Sequence, residues 1–546
     1  MEEQHIAMSA APSAAPSAVT SGSPSSNATP ALIHDPAIIE DHGTYYIVGT
    51  HRQFARSTDL VHWEPFENNL SRDPYALLGD IWKDWPEQPE NPDLTSNTWA
   101  PDVIWNGTMR KWCMYLSVNG HEFRSVIVLL TADRLDGDWT YVGPVVYSGF
   151  SPDTVDRTDV PRVLGEAAAH GDLSRYMSLK DTRINAIDAA PIRCTHGELW
   201  MSFGSWFGGI WMFKLDPATG LRDYRVRYPL VHDASDPYYG VKVAGGYWNS
   251  GEGSYFVRHD GWWYLFMSYG WLGRTGGYQV RLFRSRNLIG PYVDQNGNPA
   301  ISNGEIPDNH EKDTGIRLTS SVEWGFSPAH EHDIEASQGH NSVLTRSSDG
   351  RLFLVYHTRF VGRDDGEYES HIRELLPTAD GWLTAAPFLY QGDAAVAPQV
   401  HADCAPALTS HPSALAGRYE LVRHDPHTFF NDTRTDDGAY FGVNRPESIT
   451  LEADGRVTSG EAIDFFDTPD ANLPRSTDGP VTRGSWRLIG ETPAGVRCCA
   501  SDMVITIDGV TYMGVFAVLP DERDQTPTLT FSAIGGNQSI WGARTA

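Results

Sequence analysis

The sequence has few basic residues and few cysteines, and it lacks a long apolar run. Its 42 lysines and arginines are outnumbered by 70 aspartates and glutamates, so the formal net charge is −28 at pH 7. Phosphate groups bind to basic surfaces, and this balance therefore argues against nucleic acid and anionic membranes as partners. No segment approaches the roughly 18 apolar residues of a membrane span. A neutral substrate fits the composition better.

The five cysteines are scattered, and none of them belongs to a CxxC pair. Their odd number and irregular spacing indicate buried free thiols rather than a disulfide framework or a zinc site. Free thiols in turn favour a reducing compartment. The cysteines are Cys113, Cys194, Cys404, Cys498 and Cys499.

The N-terminal residues 1–30 form a low-complexity tract of alanine, serine and proline. The tract has two early glutamates and no apolar stretch, whereas a secretory signal needs a basic start followed by an apolar core. It therefore predicts a disordered arm. We expect a cytoplasmic protein, or a secreted one if a native leader has been removed.

One short pattern occurs five times along the chain. In each copy a turn rich in Gly, Asp or His precedes a run of strand-forming residues that is dense in aromatics. Repetition of a strand set at long intervals is typical of propeller blades. The copies are GTYYIVGT from Gly43, RKWCMYLSV from Arg110, GELWMSFGSW from Gly197, DGWWYLFMSYG from Asp260 and DGRLFLVYHTR from Asp349.

A second strand precedes each copy, and in four cases it bears an acid. These strands are IHDPAII from Ile33, WAPDVIW from Trp99, AIDAAPI from Ala186, SGEGSYFV from Ser250 and, without an acid, GHNSVL from Gly339. The pattern predicts an all-β, five-bladed β-propeller whose innermost strands face one central channel. Carboxylates placed there converge and suggest chemistry on a polar substrate.

The chain is too long for a single core and divides by composition. We predict an arm over 1–30, a propeller over 31–398, a linker over 399–416 and a C-terminal domain over 417–546. Apolar and polar residues alternate between turns in the last segment, which predicts a smaller antiparallel β-barrel or sandwich. Long insertions at 68–96 and 149–185 are expected to line the channel mouth, and a polar stretch at 295–338 precedes the last blade.

Four acids are candidates for chemistry: Asp35, Asp102, Asp188 and Glu252. Hydrolysis of a glycosidic bond with inversion needs one carboxylate as base and one carboxylic acid as proton donor. Asp35 and Asp102 each neighbour a proline and are also compatible with simple turns. Asp188 lies among small apolar residues, and Glu252 lies between two glycines, so a functional role is favoured for both.

Together, HDP, WAPDV, AIDAAPI, SGEGSYFV and GHNSVL resemble glycoside hydrolase family 43, and within it the endo-α-1,5-L-arabinanases that carry a C-terminal β-barrel. The resemblance spans residues 31 to 546. It implies an inverting enzyme in which Asp35 is the general base, Glu252 is the general acid, and Asp188 positions the acid and raises its pKa. It also implies a calcium ion in the channel with His340 as a ligand. A hydrogen-bonded channel histidine is the alternative.

Substrate-binding residues are less sharply defined. Trp99, Trp206 and Phe207 are candidates to stack on sugar rings, although core packing is an equal alternative, and Arg359 would reach either a sugar hydroxyl or a salt-bridge partner. The acids do not distinguish an endo-arabinanase from an exo-acting α-L-arabinofuranosidase or β-xylosidase of the same family. A non-catalytic sugar-binding propeller is the rival of another class, and it has no use for three acids that repel one another. In every case the expected partner is a carbohydrate.

Overall fold

The computed structural model describes most of the chain. The predicted arm up to residue 27, Ser250, most of the predicted linker, and the cysteines 404, 498 and 499 lie outside the described residues. Cys113 and Cys194 are free thiols, as predicted. The described residues are 28–121, 123–178, 181–248, 251–306, 314–324, 334–393, 412–424, 442–459, 481–489, 500–522 and 525–545.

Five mostly antiparallel sheets follow one another in the described chain. The first contains β1 to β4, at Ala37–Asp41, Thr44–Gly49, Gln53–Ser57 and Glu64–Pro65. The second contains β5 to β8, at Thr98–Asn106, Lys111–His121, Arg124–Ala132 and Thr140–Tyr147. The third contains β9 to β13, at Ala190–Arg193, Leu199–Phe203, Ile210–Leu215, Ser235–Asp236 and Gly240–Trp248.

The fourth sheet begins with β14 to β16, at Glu252–His259, Trp262–Tyr269 and Gln279–Ser285. Two strands lie in the polar stretch before the last blade: β17, at Ile301–Ile306, pairs in parallel with β13, and β18, at Ile316–Arg317, is the outer strand of the fourth sheet. The fifth sheet contains β19 to β22, at Glu335–Thr345, Leu352–Phe360, Glu369–Pro377 and Leu383–Ala385.

The sheets are arranged in a closed ring. The innermost strand β1 contacts β5 and β19, β5 contacts β9, and β14 contacts both β9 and β19. The chain before β1 crosses the seam between the last and first sheets, where the Ser370 N–H donates to the carbonyl of Ala31 at 2.8 Å. The five-bladed β-propeller that the repeats predict is therefore confirmed.

The repeated sequence pattern corresponds to the second strand of each blade. Neighbouring blades cover both faces of these strands, so all nine residues of β20 are buried and its first five residues are apolar. The turns before two of them are two-residue hairpin loops with positive φ at both positions, His42-Gly43 and Asp260-Gly261. This geometry explains the Gly and Asp residues of the repeat, because positive φ is accessible to few other residues.

Helices are confined mainly to the insertions. The first insertion contains α1 at Asn69–Arg72 and α2 at Pro74–Asp84, which the sequence analysis did not predict. The Asp73 side chain accepts the Ala76 N–H, Pro74 occupies the first turn, and Trp82 is buried, so α2 combines a cap with an apolar face. The second insertion contains α3, α4 and α5, at Val160–Leu164, Glu166–Ala169 and Ser174–Met177.

The C-terminal domain is a closed antiparallel barrel of eight strands, preceded by α6 at Pro412–Leu415. This resolves the predicted choice between barrel and sandwich. Its interior is filled by aromatic and aliphatic side chains such as Trp486, Phe516 and Phe531. The strands β23 to β30 are Gly417–Arg423, Glu447–Leu451, Arg456–Ser459, Thr482–Leu488, Ala500–Ile507, Val510–Pro520, Pro527–Gly535 and Gln538–Arg544.

The barrel packs against the fourth and fifth blades. The Ser539 hydroxyl donates to the carbonyl of Arg317 at 2.5 Å, and the Ser532 hydroxyl donates to that of Ala385 at 2.7 Å. The guanidinium of Arg373 lies 4.8 Å from the ring centroid of Trp541. These polar and aromatic contacts join the two domains. Within the described chain, no helix has the length and apolar character needed to cross a membrane.

Candidate active site

The innermost strands bring the predicted acids to one end of the central channel. Asp35 and Asp188 each precede the first residue of an innermost strand by two positions, and Glu252 is the first residue of β14. Residues from all five blades line the channel there, among them Asp35, Asp102, Asp188, Gly253 and His340. The convergence that the blade pattern predicts is therefore present.

The backbone around this end of the channel is strained. Asp35, Asp188 and His340 have φ values of 54°, 59° and 46°, in the left-handed region that non-glycine residues rarely adopt. The pairing register shifts beside Glu252 in β14 and around Gly339 in β19. Bulges of this kind re-aim side chains, and strain of order 1–3 kcal/mol per residue persists where a site needs it.

Asp35 is surrounded by hydrogen-bond donors and imidazoles. The Thr50 hydroxyl donates to its Oδ2 at 2.5 Å, and His34 Nδ1 lies 3.1 Å from the same oxygen. His340 Nδ1 lies 3.3 Å from Oδ1. The Asp35 N–H donates to Nδ1 of His357 at 3.2 Å, which assigns the ring proton of His357 to Nε2.

These partners decide the protonation state of Asp35. Burial alone would raise its pKa, but the charges of His34 and His340 and the hydrogen bond from His34 hold the pKa well below the ordinary range. Burial lowers the pKa of His357 well below that of a free histidine. Asp35 is therefore an ionised carboxylate, and His357 is a neutral imidazole stacked on His34 at 3.9 Å between ring centroids.

Glu252 has the opposite environment. The Ser205 hydroxyl donates to Oε2 at 2.6 Å, and the Tyr278 hydroxyl donates to Oε1 at 2.8 Å. Burial raises the pKa of Glu252 and outweighs these two hydrogen bonds and the charge of His340. Ser205 and Tyr278 were not among the predicted site residues, because neither lies on an innermost strand. Ser205 lies in the third copy of the repeat, where the pattern predicts a strand rather than a contact to an acid.

Asp188 lies beside Glu252. Its Oδ2 accepts the N–H of Gly253 at 3.3 Å, and its own N–H donates to the Ser117 hydroxyl at 3.1 Å. Burial, together with the nearby charges of Glu252 and Asp35, raises the pKa of Asp188 to about 8, against the opposing effect of His340. Two buried carboxyl groups this close favour a protonated member of the pair.

Asp102 lies in the same channel but outside these hydrogen-bond sets. Its Oδ1 accepts the N–H of Val103 at 2.7 Å, and burial raises its pKa to about 8. His340 faces all four acids. Burial would lower the pKa of His340, but Asp35, Asp188, Glu252 and Asp102 together raise it.

The predicted substrate-binding residues occupy different positions. The indole N–H of Trp99 donates to the carbonyl of Ser96 at 2.7 Å, and this side chain is half-buried. Trp206 is 8% exposed, and Phe207 is half-buried against Phe123 at 4.9 Å between ring centroids. Arg359 is buried, and its Nε donates to the carbonyl of Asp365 at 2.8 Å. Trp206 and Arg359 thus have little surface left for a sugar.

One group of potential metal ligands occurs within the described residues, at His34, Asp35 and His357, and it does not include the predicted ligand His340. Nδ1 of His357 already accepts the N–H of Asp35, and the two imidazoles are stacked rather than convergent. This arrangement orients the carboxylate. It offers poor geometry for a hard cation, which prefers oxygen ligands.

Comparisons with known proteins agree with this architecture. The profile of Glycosyl hydrolases family 43 matches residues 28–161 and 163–383, and that of a C-terminal lipocalin-like domain matches residues 398–542. The chain is 27% identical to extracellular endo-α-(1→5)-L-arabinanase 2 of Bacillus subtilis, over 94% of this chain and 92% of the relative. It is 31% identical to an extracellular endo-α-(1→5)-L-arabinanase of Thermotoga petrophila, over 78% and 81% of the two chains.

Among solved structures, a glycoside hydrolase family 43 protein of Bacillus licheniformis, YxiA, superposes with a TM-score of 0.70 at 26% sequence identity. The match covers 94% of this chain and 99% of that one. Propeller and barrel are therefore shared, in the same order, with a solved structure.

Proposed function

The chain belongs to glycosyl hydrolase family 43, and we propose that it hydrolyses α-1,5-linked L-arabinan or its oligosaccharides, in the endo mode and with inversion. The two relatives above are named for endo action on this linkage. The observation that carries the mechanism is a pair of carboxyl groups in one channel with opposite pKa shifts. Such a pair supplies a base and an acid at the same pH.

Asp35 is the proposed general base. Its low pKa keeps it ionised, so it can accept a proton from a water molecule that attacks the anomeric carbon. Thr50 and His34 hold one carboxylate oxygen by their side chains, and His357 holds the backbone N–H. These contacts orient the carboxylate before substrate binds, which reduces the reorganisation that proton transfer requires.

Glu252 is the proposed general acid. Its raised pKa favours the protonated form, which can donate a proton to the leaving oxygen. Asp188 accepts the N–H of the adjacent Gly253 and so fixes the start of β14. Ionisation of Glu252 also disfavours ionisation of Asp188, and by reciprocity Asp188 disfavours ionisation of Glu252.

His340 is close to both proposed catalytic groups. Its Nδ1 contacts Asp35, and its Cα and ring Cγ lie 3.2 Å from where a Cβ on Gly253 would be. The imidazole is therefore near both the base and the backbone of Gly253, the residue that follows the acid. Inverting enzymes keep their carboxyl groups about 6.5–9.5 Å apart, with room for a water molecule.

We propose the cellular location of this protein from the names of its relatives. Both are named as extracellular proteins, and the expectation of a cytoplasmic protein finds no support in them. We infer that this chain also acts outside the cell, where arabinan is a polymer. Two free thiols at Cys113 and Cys194 are compatible with this, because both are at least partly buried.

The channel residues fit the calcium ion that the resemblance implies. Both polar side-chain atoms of buried Asn341 lack a hydrogen-bond partner among the described residues, and Asp102 adds carboxylate oxygens to the same channel. The acids that raise the pKa of His340 would equally attract a divalent cation. We propose that His340 and Asn341 hold calcium with water, and that its charge would favour ionised Asp35.

Wild-type protein is expected to release a mixture of oligosaccharides early in the digestion of linear arabinan.

Asp35→Asn should lower turnover by about 10²–10⁴-fold, because an amide does not take a proton from water. Asp59→Asn is the matched control, since Asp59 also lies in the first blade and its hydrogen bonds lower its pKa to about 2. Turnover by the Asp35 variant within about tenfold of wild type would contradict its role.

Ser205→Ala is expected to shift the alkaline limb of the kcat/KM profile to higher pH. The Ser205 hydroxyl stabilises the ionised form of Glu252, so its loss raises the pKa of Glu252 further and keeps the acid protonated longer. Ser202→Ala is the control, because the Ser202 hydroxyl bonds Ser254 instead. A shift to lower pH, or an equal shift in the control, would refute this assignment.

The stereochemical outcome is expected to be inversion, because attack by water opposite the leaving group reverses the anomeric configuration. Proton NMR of a fresh digest should detect the β-anomer of the new reducing end first, followed by slow mutarotation. Initial release of the α-anomer would rule out direct displacement by water.

Calcium removal by prolonged EDTA treatment is expected to lower the Tm, and added calcium should restore it, because a ligand that binds only the native state stabilises it. His340→Ala should weaken calcium binding measured by calorimetry, whereas His232→Ala, at an exposed histidine far along the third blade, should not. If elemental analysis finds no calcium even after soaking, the ion has no part in this site.

A further inference from the structure

Trp271 stands apart from the other tryptophans. Its side chain is 44% exposed, whereas the other tryptophan side chains in the described part of the chain are buried or half-buried. A single exposed apolar residue needs no explanation by itself. The position of Trp271 and the way it is held distinguish it from a chance surface residue.

The residue lies on the hairpin that joins β15 to β16, next to the end of β15 that pairs with Glu252. Glu252 pairs with Ser268 at the end of β15, and Tyr278, at the other end of the same hairpin, donates to the Glu252 carboxyl. Trp271 is therefore on the loop that leads directly to the contact holding the proposed acid. It belongs to the same face of the propeller as the four channel acids.

The hairpin is tied to the neighbouring blade. The Ser337 hydroxyl donates to the carbonyl of Gly273 at 2.6 Å and contacts that of Arg274 at 3.1 Å. The Arg274 N–H donates to Oδ1 of Asp365 at 2.5 Å. Bonds from β19 and from the loop after β20 thus hold the hairpin in place.

The indole rests on glycine backbone. A Cβ on Gly273 would lie 2.9 Å from the Trp271 Nε1, and a Cβ on Gly276 would lie 2.6 Å from the Trp271 Cβ. A larger residue at position 273 would displace the ring, and one at position 276 would clash with the Trp271 backbone carbonyl. The hairpin therefore supports the ring closely on its inner side and leaves much of its surface in solvent.

We propose that Trp271 is a stacking platform for a sugar ring of the arabinan chain, outside the cleavage site. A flat, rigid aromatic face binds the C–H face of a sugar with little loss of conformational entropy. The proposed acid on the same blade would protonate the leaving oxygen, so the Trp271 hairpin is next to the position expected for the leaving part of the chain. The inference rests on the proposed function and adds a specificity residue for long substrates.

Trp271→Ala is expected to raise KM for linear arabinan about tenfold while kcat changes less than twofold, with a smaller effect on short oligosaccharides. Trp271→Phe keeps a flat ring and should recover part of the loss. Leu230→Ala, at a side chain 58% exposed on the third blade, is the surface control. Equal KM values for wild type and Trp271→Ala on the polymer would overturn the proposal.

Binding without turnover gives a second readout. In an Asp35→Asn background, electrophoresis through gels containing arabinan should retard the protein, and adding Trp271→Ala should reduce that retardation. Undiminished retardation would overturn the proposal that a sugar ring stacks on Trp271. If folded wild-type protein neither cleaves nor binds arabinan, the proposed function itself fails; if it cleaves arabinan and the Trp271 variants behave like wild type, only this inference fails.

Discussion

The site depends on the ionised Asp35 carboxylate being paired at the seam where the propeller closes. A buried carboxylate without partners would be costly. His34 and Thr50 come from the first blade, and His340 and His357 come from the last, so the partners of Asp35 exist only when the ring is complete. Ser342 adds to the same seam by accepting the Ile38 N–H and donating to the Pro36 carbonyl. The closure of the propeller ring therefore also brings the partners that orient and ionise Asp35, the proposed base, into contact with it.

The pKa values of Glu252 and Asp188 are shifted upward, in the opposite direction to that of Asp35. Burial dominates there, and the few hydrogen bonds to Glu252 and Asp188 do not restore their ordinary pKa. The strained φ values at Asp35, Asp188 and His340 and the bulge beside Glu252 aim these side chains into one channel. Local backbone stability is thus lowered where the chemistry requires a particular geometry.

The barrel supports the blades that carry this machinery. Arg373 contacts Trp541 of the barrel and donates to Glu335 at 3.1 Å, at the start of the strand that also bears His340. His371 shares the same carboxylate. Burial would raise the pKa of Glu335, but the positive charges of Arg373 and His371 and the hydrogen bond from His371 lower it to about 2, so Glu335 is ionised. The polar network extends from the domain interface into the fifth blade, which makes the barrel part of the support of the propeller.

The sequence by itself determined the blades and the acids, because a strand pattern and a carboxylate on an innermost strand are local properties that repetition makes visible. Asp35, Asp188 and Glu252 carry that pattern, and the structure brings the three acids close enough to influence one another's pKa. Their partners were not, because Asp35 and His357 are separated by 322 positions and meet only through ring closure. The contacts of Ser205 and Tyr278 with Glu252, and the exposure of Trp271, likewise depend on how hairpins of different blades come together. Which carboxyl group is ionised is decided by those long-range neighbours and by burial, and both are properties of the tertiary structure alone.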